Sequence, residues 1–352
     1  MNPSANVQRN RERTILAVLA SLALMTMFVE IMLVPALPAM VRDFPQQAGW
    51  IPWVLSIYML VGAVVTLLVG RLGDMYGKKR VLIAVMVLYL IALLGGGFSI
   101  AISEALFGAP SIFVLLFFRA LQGVGMGMFT LAFGIVRDTF PPAKVPMAIG
   151  IIPSMFAVGV SIGLIGGGWI TSVGRWNDAF YAVTMPFLAL TVASAYLIKE
   201  PAFSARGSLD VPGAFLLGSG VFLFLLSLVQ GEEQGWSSSG FIVPIVLSVV
   251  LLAAFVLVER KMEHPLIKVR IFRGRAFAVD NGVLFFSMVA FILIFFFASV
   301  YAQVALGYDA NTAGLYLLMI FAGFAPAAQF GGRILDTRGA RPALILGSAM
   351  SA

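Results

Sequence analysis

Long apolar stretches separated by short polar connections dominate the chain. Ten stretches are long enough to cross a bilayer as helices, and an eleventh begins near Ala343 and is cut off at Ala352. The ten predicted spans cover residues 14–39, 50–70, 81–101, 112–136, 147–172, 179–198, 211–229, 240–258, 276–301 and 312–331. They are continuous and do not form the alternating segments of about ten residues that build membrane barrels. The pattern therefore predicts an all-α integral membrane protein.

Composition supports this prediction, because 61% of the residues are hydrophobic and only 11% are charged. Soluble domains are about one quarter charged. Arg9, Arg11 and Arg13 lead into a full-length span without a small-residue cleavage site, so no cleavable signal peptide is predicted. The chain contains no cysteine, which excludes disulfides and thiolate metal sites.

Positive charge occurs in every second connection. All but three of the 23 lysines and arginines lie in the N-terminus or in residues 71–80, 137–146, 199–210, 259–275 and 332–342. Basic loops are retained in the cytoplasm, so these segments are predicted to be cytoplasmic, and Ser103 and Ser238 to be external. The net charge of +7 is therefore explained by topology, and no nucleic-acid partner is predicted.

A short charged turn occurs twice, each time after a predicted span. Five residues of the first turn recur 262 positions later, as Gly332, Arg333, Asp336, Gly339 and Arg341. Repeated halves are common in transporters. The eight spans between the turns exceed a plain six-helix duplication by two, and the added pair is predicted at 211–229 and 240–258. We thus expect an N-terminal six-helix bundle at 1–200, the extra pair with a cytoplasmic linker at 201–275, and an incomplete C-terminal bundle at 276–352.

The first turn resembles the cytoplasmic signature between helices 2 and 3 of the major facilitator superfamily. The residues that carry this resemblance are Gly70, Arg71, Gly73, Asp74, Gly77, Lys78, Lys79 and Arg80. By the family pattern the turn latches the outward-open state, with Asp74 against the start of helix 11. Its chemistry predicts close helix packing at Gly70 and Gly73 and a turn at Gly77. The alternative is a basic turn that only satisfies the positive-inside rule.

The fourth span carries an arginine, Arg119, followed by Gln122, Gly123 and Gly125. This resembles the helix-4 motif of the same superfamily. An arginine inside a span is costly and usually faces a polar cavity or a partner. The alternative is that Arg119 snorkels to the outer interface.

The fifth span carries a glycine-rich face that resembles the antiporter motif of drug exporters in the superfamily. Its members are Gly159, Gly163, Gly166, Gly167 and Gly168. Leu164 stands where the usual motif has proline, which removes the expected kink. The alternative is a face that serves helix packing without any bearing on transport direction.

Two further stretches resemble the fourteen-helix drug:proton antiporter branch, which also has an extra helix pair. They are Gly174-Arg175-Trp176 and Glu259-Arg260 followed by His264-Pro265. That branch usually has an aspartate nine residues before the proline of an Ala-Leu-Pro. The corresponding position is Val29, and the acid here is Glu30. The resemblance thus implies that Glu30 and Arg119, at similar depth, form a proton-coupling pair. Asp280 and Asn281, early in the ninth span, are either cavity groups or interfacial.

The resemblance implies a proton-coupled secondary active exporter of drugs or other small amphipathic molecules that works by alternating access. Its partners would be substrate, protons and the lipid bilayer, and it would be a monomer in the cell membrane. No cofactor or metal is predicted. With one histidine, His264, and one mid-span carboxylate, the chain lacks the convergent groups of a membrane enzyme.

Two alternatives stay open at this point. One is a proton-coupled uptake symporter, because Leu164 departs from the antiporter motif. The other is a non-transporting, truncated remnant. Since the branch needs two six-helix halves, residues 1–352 are expected not to transport alone, and the gene is expected to continue.

Overall fold

The computed structural model describes residues 3–200, 210–262, 271, 273–308, 312, 315, 316, 319 and 323–351. Their regular structure is helical throughout. The helices are α1 (Pro3–Ile31), α2 (Leu37–Asp43), α3 (Trp53–Tyr76), α4 (Lys78–Gly97), α5 (Ser99–Phe107), α6 (Ile112–Gln122), α7 (Gly127–Thr139), α8 (Val145–Val173), α9 (Asp178–Leu197), α10 (Val211–Gln234), α11 (Ser239–Glu259), α12 (Arg275–Val300), α13 (Phe324–Arg338) and α14 (Ala340–Ser351).

Within the described residues, eight segments are long and apolar enough to cross a membrane. They are Arg9–Asp43, Pro45–Tyr76, Lys78–Gly97, Ile112–Thr139, Pro142–Val173, Asp178–Leu197, Pro212–Gln234 and Ser239–Glu259. They match the first eight predicted spans, and α12 matches the ninth. The tenth predicted span, 312–331, lies partly outside the described residues. The all-α integral membrane fold is confirmed.

Several spans are broken where the sequence weakens helical hydrogen bonding. The first span consists of α1, a 3-10 turn at Val34–Ala36 and α2, because Pro35 and Pro38 have no backbone N–H to donate. The fourth span is interrupted by a 3-10 turn at Gly123–Met126. α4 ends at Gly97, four residues before the predicted end, after three consecutive glycines that favour the helix poorly.

The N-terminal bundle is built around a few long helix contacts. α1 packs along α8 and α9, α3 packs against α6 and α7, and α4 packs against α9 and α6. Interlocking side chains and close backbone contacts are what hold helices together in lipid. Buried apolar residues of α1, α3 and α4 form much of this core.

The two helices of the extra pair, α10 and α11, pack on each other, and α10 also packs against α3. This attaches the pair to the N-terminal bundle. Farther along the chain, α13 packs against α8. The first predicted domain boundary, between residues 200 and 201, adjoins residues 201–209, which lie outside the described residues. The second, between residues 275 and 276, falls at the start of α12. Residues 263–270, which include His264, also lie outside the described residues. The division into three domains stays a prediction.

Cysteine labelling tests the predicted topology. Ser103 is fully buried, so its neighbour Ala105, which is exposed on α5, is the better external position. We expect Ala105→Cys and the exposed Ser237→Cys to react from outside with an impermeant thiol reagent. Ala143→Cys, in a basic connection, should react only after lysis. The chain has no native cysteine to obscure the result. Labelling of Ser237→Cys only after lysis would contradict the extra helix pair.

Candidate functional site

Arg119 lies on α6 and is fully buried. Its Nε donates a hydrogen bond to the Val54 carbonyl oxygen at 2.8 Å, and its Nη1 donates to Gln122 Oε1 at 2.7 Å. Gln122 Nε2 in turn donates to the Ala92 carbonyl oxygen at 3.0 Å. The guanidinium carbon lies 4.9 Å from the centroid of the Tyr58 ring. Arg119 therefore points into the bundle and ties α6 to α3 and α4, and the snorkelling alternative is wrong.

Glu30 lies in the last turn of α1 and is 8% exposed. It is within electrostatic range of Arg119 and of two fully buried tyrosines, Tyr58 on α3 and Tyr89 on α4. Among the described residues, no ion pair within 4.0 Å joins Glu30 and Arg119. The structure thus brings the two predicted residues into one polar cluster without a direct salt bridge. We call Glu30, Tyr58, Tyr89, Arg119 and Gln122 the polar cluster.

The tyrosines of the polar cluster were not predicted from the sequence. A tyrosine in an apolar span is ordinary, so residue type alone gave no signal. Asp280 and Asn281 are exposed on α12, and Asn281 Nδ2 donates to the Phe277 carbonyl oxygen of its own helix. These two residues therefore lie outside the polar cluster. A separate cavity of about 670 Å³ lies between α3 and α10 and is lined by apolar residues such as Val64 and Phe222.

The glycines of the first charged turn have the predicted geometric roles. Gly77 has a φ of +101° and separates α3 from α4. A Cβ atom on Gly73 would overlap with Leu131, and one on Gly70 would lie 3.0 Å from Thr130 Cγ2. Both neighbours belong to α7, so the close helix approach is confirmed. The choice between a latch and a basic turn is left open by this packing.

Ion pairs link this turn to the end of α7. Lys78 Nζ lies 2.6 Å from Asp138 Oδ2 and 3.3 Å from Asp74 Oδ1. The side chain of Asp74 is 52% exposed, and Arg71 is half-buried. The expected contact of Asp74 with the start of helix 11 stays a prediction.

Glu200 is the residue at this turn that sequence reasoning missed. Its carboxylate accepts hydrogen bonds from the backbone N–H groups of Lys79 and Arg80, each at 3.1 Å. It therefore satisfies two free N–H groups at the start of α4, where the helix dipole also favours an anion. Arg80 Nε lies 3.9 Å from the same carboxylate. The missed signal was the acid directly after the sixth span, which only the tertiary fold brings to the turn.

The second charged turn is confirmed as a turn. Gly339 has a φ of +83° and separates α13 from α14. Arg333 and Arg341 are exposed, and the side chain of Asp336 lies outside the described part. Among the described residues, a Cβ atom on Gly332 would meet nothing within 4 Å.

The glycine face of α8 packs directly on the backbone of α1. A Cβ atom on Gly159 would overlap with the Leu24 carbonyl oxygen, and one on Gly167 with the Met32 carbonyl oxygen. One on Gly163 would lie 2.8 Å from the Phe28 carbonyl oxygen. The set repeats every four residues along α8 and along α1 as far as Met32, the residue after the end of α1. The predicted close packing is confirmed, while transport direction is left open by this contact.

Two further positions of the same motif have other surroundings. A Cβ atom on Gly166 would lie 3.0 Å from the Phe28 ring, and Gly168 is half-buried. α8 is a continuous helix from Val145 to Val173, so it runs through Leu164 without a break.

Sequence comparison identifies relatives over nearly the whole chain. The family model described as Major Facilitator Superfamily matches residues 19–352. The chain is 30% identical over 305 residues to "Multidrug resistance protein 3" of Bacillus subtilis, covering 85% of this chain and 57% of that protein. It is 26% identical over 353 residues to the "Tetracenomycin C resistance and export protein" of Streptomyces glaucescens, covering 99% and 63%. The chain thus spans between 57% and 63% of the length of these relatives.

Comparison with solved structures gives the same fold. The proton:xylose symporter XylE, bound to 6-bromo-6-deoxy-D-glucose, matches with a TM-score of 0.59 and 14% sequence identity. The match covers 94% of this chain and 70% of the symporter chain. At this identity the likeness concerns the fold alone.

Proposed function

This chain belongs to the major facilitator superfamily of membrane transporters, and we propose that it is a proton-coupled secondary active exporter of small amphipathic molecules. The observation that carries the proposal is the polar cluster, in which a nearly buried carboxylate lies near a fully buried arginine. Relatives named for multidrug resistance and for export support efflux as the direction.

Glu30 is the proposed proton carrier. Burial favours the neutral form of a carboxyl group, and a nearby cation favours its charged form. Arg119 supplies that cation and is held by Val54 and Gln122. A change in solvent access or in the position of Arg119 then decides whether Glu30 holds its proton. The position 262 residues after Glu30 is Ile292, so the repeat offers no matching acid.

The charged turn between α3 and α4 is the proposed conformational latch of the cytoplasmic side. Its connections to Asp138 and Glu200 anchor it to the N-terminal bundle. Alternating access would leave this half intact and move it against a second half. In this proposal the N-terminus is cytoplasmic, and the protein is a monomer in the cell membrane.

A transport assay tests the direction and the energy source. Because the chain spans about three fifths of its relatives, the assay uses the full-length gene product in cells without exporters of their own. We expect lower accumulation of fluorescent amphipathic cations than in vector controls, and restored accumulation when a protonophore collapses the gradient. Gradient-driven uptake would favour the symporter alternative, which the continuous helix through Leu164 leaves open. Efflux that survives the protonophore would refute proton coupling.

A further inference from the structure

Three polar atoms of the polar cluster are buried and, apart from the contact of two tyrosine hydroxyls with each other, have no hydrogen-bond partner among the described residues. They are the hydroxyl oxygens of Tyr58 and Tyr89 and the Nη2 atom of Arg119. Buried donors usually have partners, and an unpaired one needs an explanation. All three groups are fully buried, and they come from α3, α4 and α6.

Arg119 is held by two of its three nitrogens, and the third, Nη2, is left for another hydrogen bond. Nε and Nη1 are used by Val54 and Gln122. The Tyr58 ring lies against the guanidinium group and restricts its movement. Among the described residues, Nη2 of Arg119 thus has no acceptor, and the paired hydroxyls of Tyr58 and Tyr89 can use only one of their two protons on each other.

Glu30 is the acid that lies within electrostatic range of these donors. α1 packs against α7, α8 and α9, which bring few other ionisable groups. α8 has none, α7 has Arg137 and Asp138 in its last turn, and α9 has Asp178, Tyr181 and Tyr196 in its end turns. Glu30 is therefore the candidate acceptor for Nη2 of Arg119 and for the remaining tyrosine hydroxyl proton.

We propose that Tyr58, Tyr89 and Nη2 of Arg119 form a receiving site that holds the carboxylate of Glu30 once its proton has left. This inference rests on the proposed role of Glu30 and adds two positioning residues to it. Hydrogen bonds from neutral or charged donors to a carboxylate are stronger than those between neutral groups. The receiving site would make proton release possible inside a low-dielectric bundle.

The tyrosine hydroxyls can be removed without removing the rings. Tyr58→Phe keeps the ring against Arg119, and Tyr89→Phe keeps the ring packed on Phe187 at 4.7 Å. Because hydrogen bonds to the charged form favour that form, each substitution should leave Glu30 protonated up to higher pH. We expect the titration midpoint to rise by about one pH unit for each variant.

Infrared spectroscopy measures this midpoint without transport. The 352-residue chain, labelled with carbon-13 glutamate and placed in lipid nanodiscs, is titrated while the band of the protonated carboxyl group is followed. Loss of the band in Glu30→Gln assigns it to Glu30. Tyr196→Phe is the matched control, because Tyr196 is 84% exposed on α9 and its variant should titrate as wild type.

An unchanged or lower midpoint in both folded tyrosine variants would overturn the receiving site, as would a band that survives Glu30→Gln. Thermal unfolding identifies any variant that is not folded, and the other tyrosine variant then carries the test. The titration is independent of the efflux assay. A raised midpoint together with absent efflux would therefore refute the exporter and leave the receiving site standing.

Discussion

Replacing Glu30 by glutamine is expected to abolish proton-coupled transport and to leave the protein folded and inserted. Glutamine has nearly the same shape but cannot exchange a proton, and it still accepts hydrogen bonds at its carbonyl oxygen. Glu30 is 8% exposed and makes no ion pair within 4.0 Å among the described residues. Neutralising Glu30 therefore breaks no direct salt bridge. Gradient-driven efflux by the full-length product is the measurement, with membrane insertion checked by quantitative blotting.

Asp280→Asn is the matched control for this experiment, because Asp280 is an exposed acid on α12. It should keep wild-type efflux. Arg119→Ala should fail as well, and Arg119→Lys should recover only part of the activity, since lysine cannot reproduce the fork that reaches Val54 and Gln122. If Glu30→Gln kept wild-type efflux and Asp280→Asn lost it, the role of proton carrier would be assigned to Asp280.

Gly167→Ala is expected to destabilise the bundle by about 1–3 kcal/mol, the usual cost of overpacking. A Cβ atom at this position would overlap with the Met32 carbonyl oxygen, and backbone cannot rotate away as a side chain does. Relief requires α1 and α8 to separate, which would also disturb the contacts at Gly159 and Gly163. The unfolding midpoint of the purified protein in mild detergent measures the effect.

The matched control is Gly150→Ala on the same helix, where a Cβ atom would meet no described residue within 4 Å. Alanine is the better helix former by about 1 kcal/mol, so this variant should be neutral or more stable. Equal unfolding midpoints for Gly167→Ala and Gly150→Ala would show that the close contact between α1 and α8 is not a source of stability.

The sequence predicted the spans well and their internal breaks poorly. Hydropathy depends on side chains, and it stays high through Pro35 and Pro38 and through Gly123 and Gly125. Helix breaks depend on the backbone, where proline removes a donor and glycine favours the helix poorly. The division of the first span between α1 and α2 was therefore invisible to a pattern based on apolar residues.

Residue type alone identified some of the functional residues and missed others. Glu30 and Arg119 stood out because charges are rare inside spans. Tyr58 and Tyr89 became candidates only when their burial and their position beside Arg119 and Glu30 were known. Glu200 reaches the turn between α3 and α4 from the end of α9, about 120 residues away in sequence, and no local pattern records such a contact.

The glycine face of α8 has a mechanical consequence. The two backbones touch at Gly159, Gly163 and Gly167, over about 12 Å of helix axis. Helices in such contact cannot slide past each other without steric overlap, so α1 and α8 are expected to move together as one rigid body. α8 also packs against α13. A displacement of α13 would therefore be transmitted along α8 to α1 and would carry Glu30 with it.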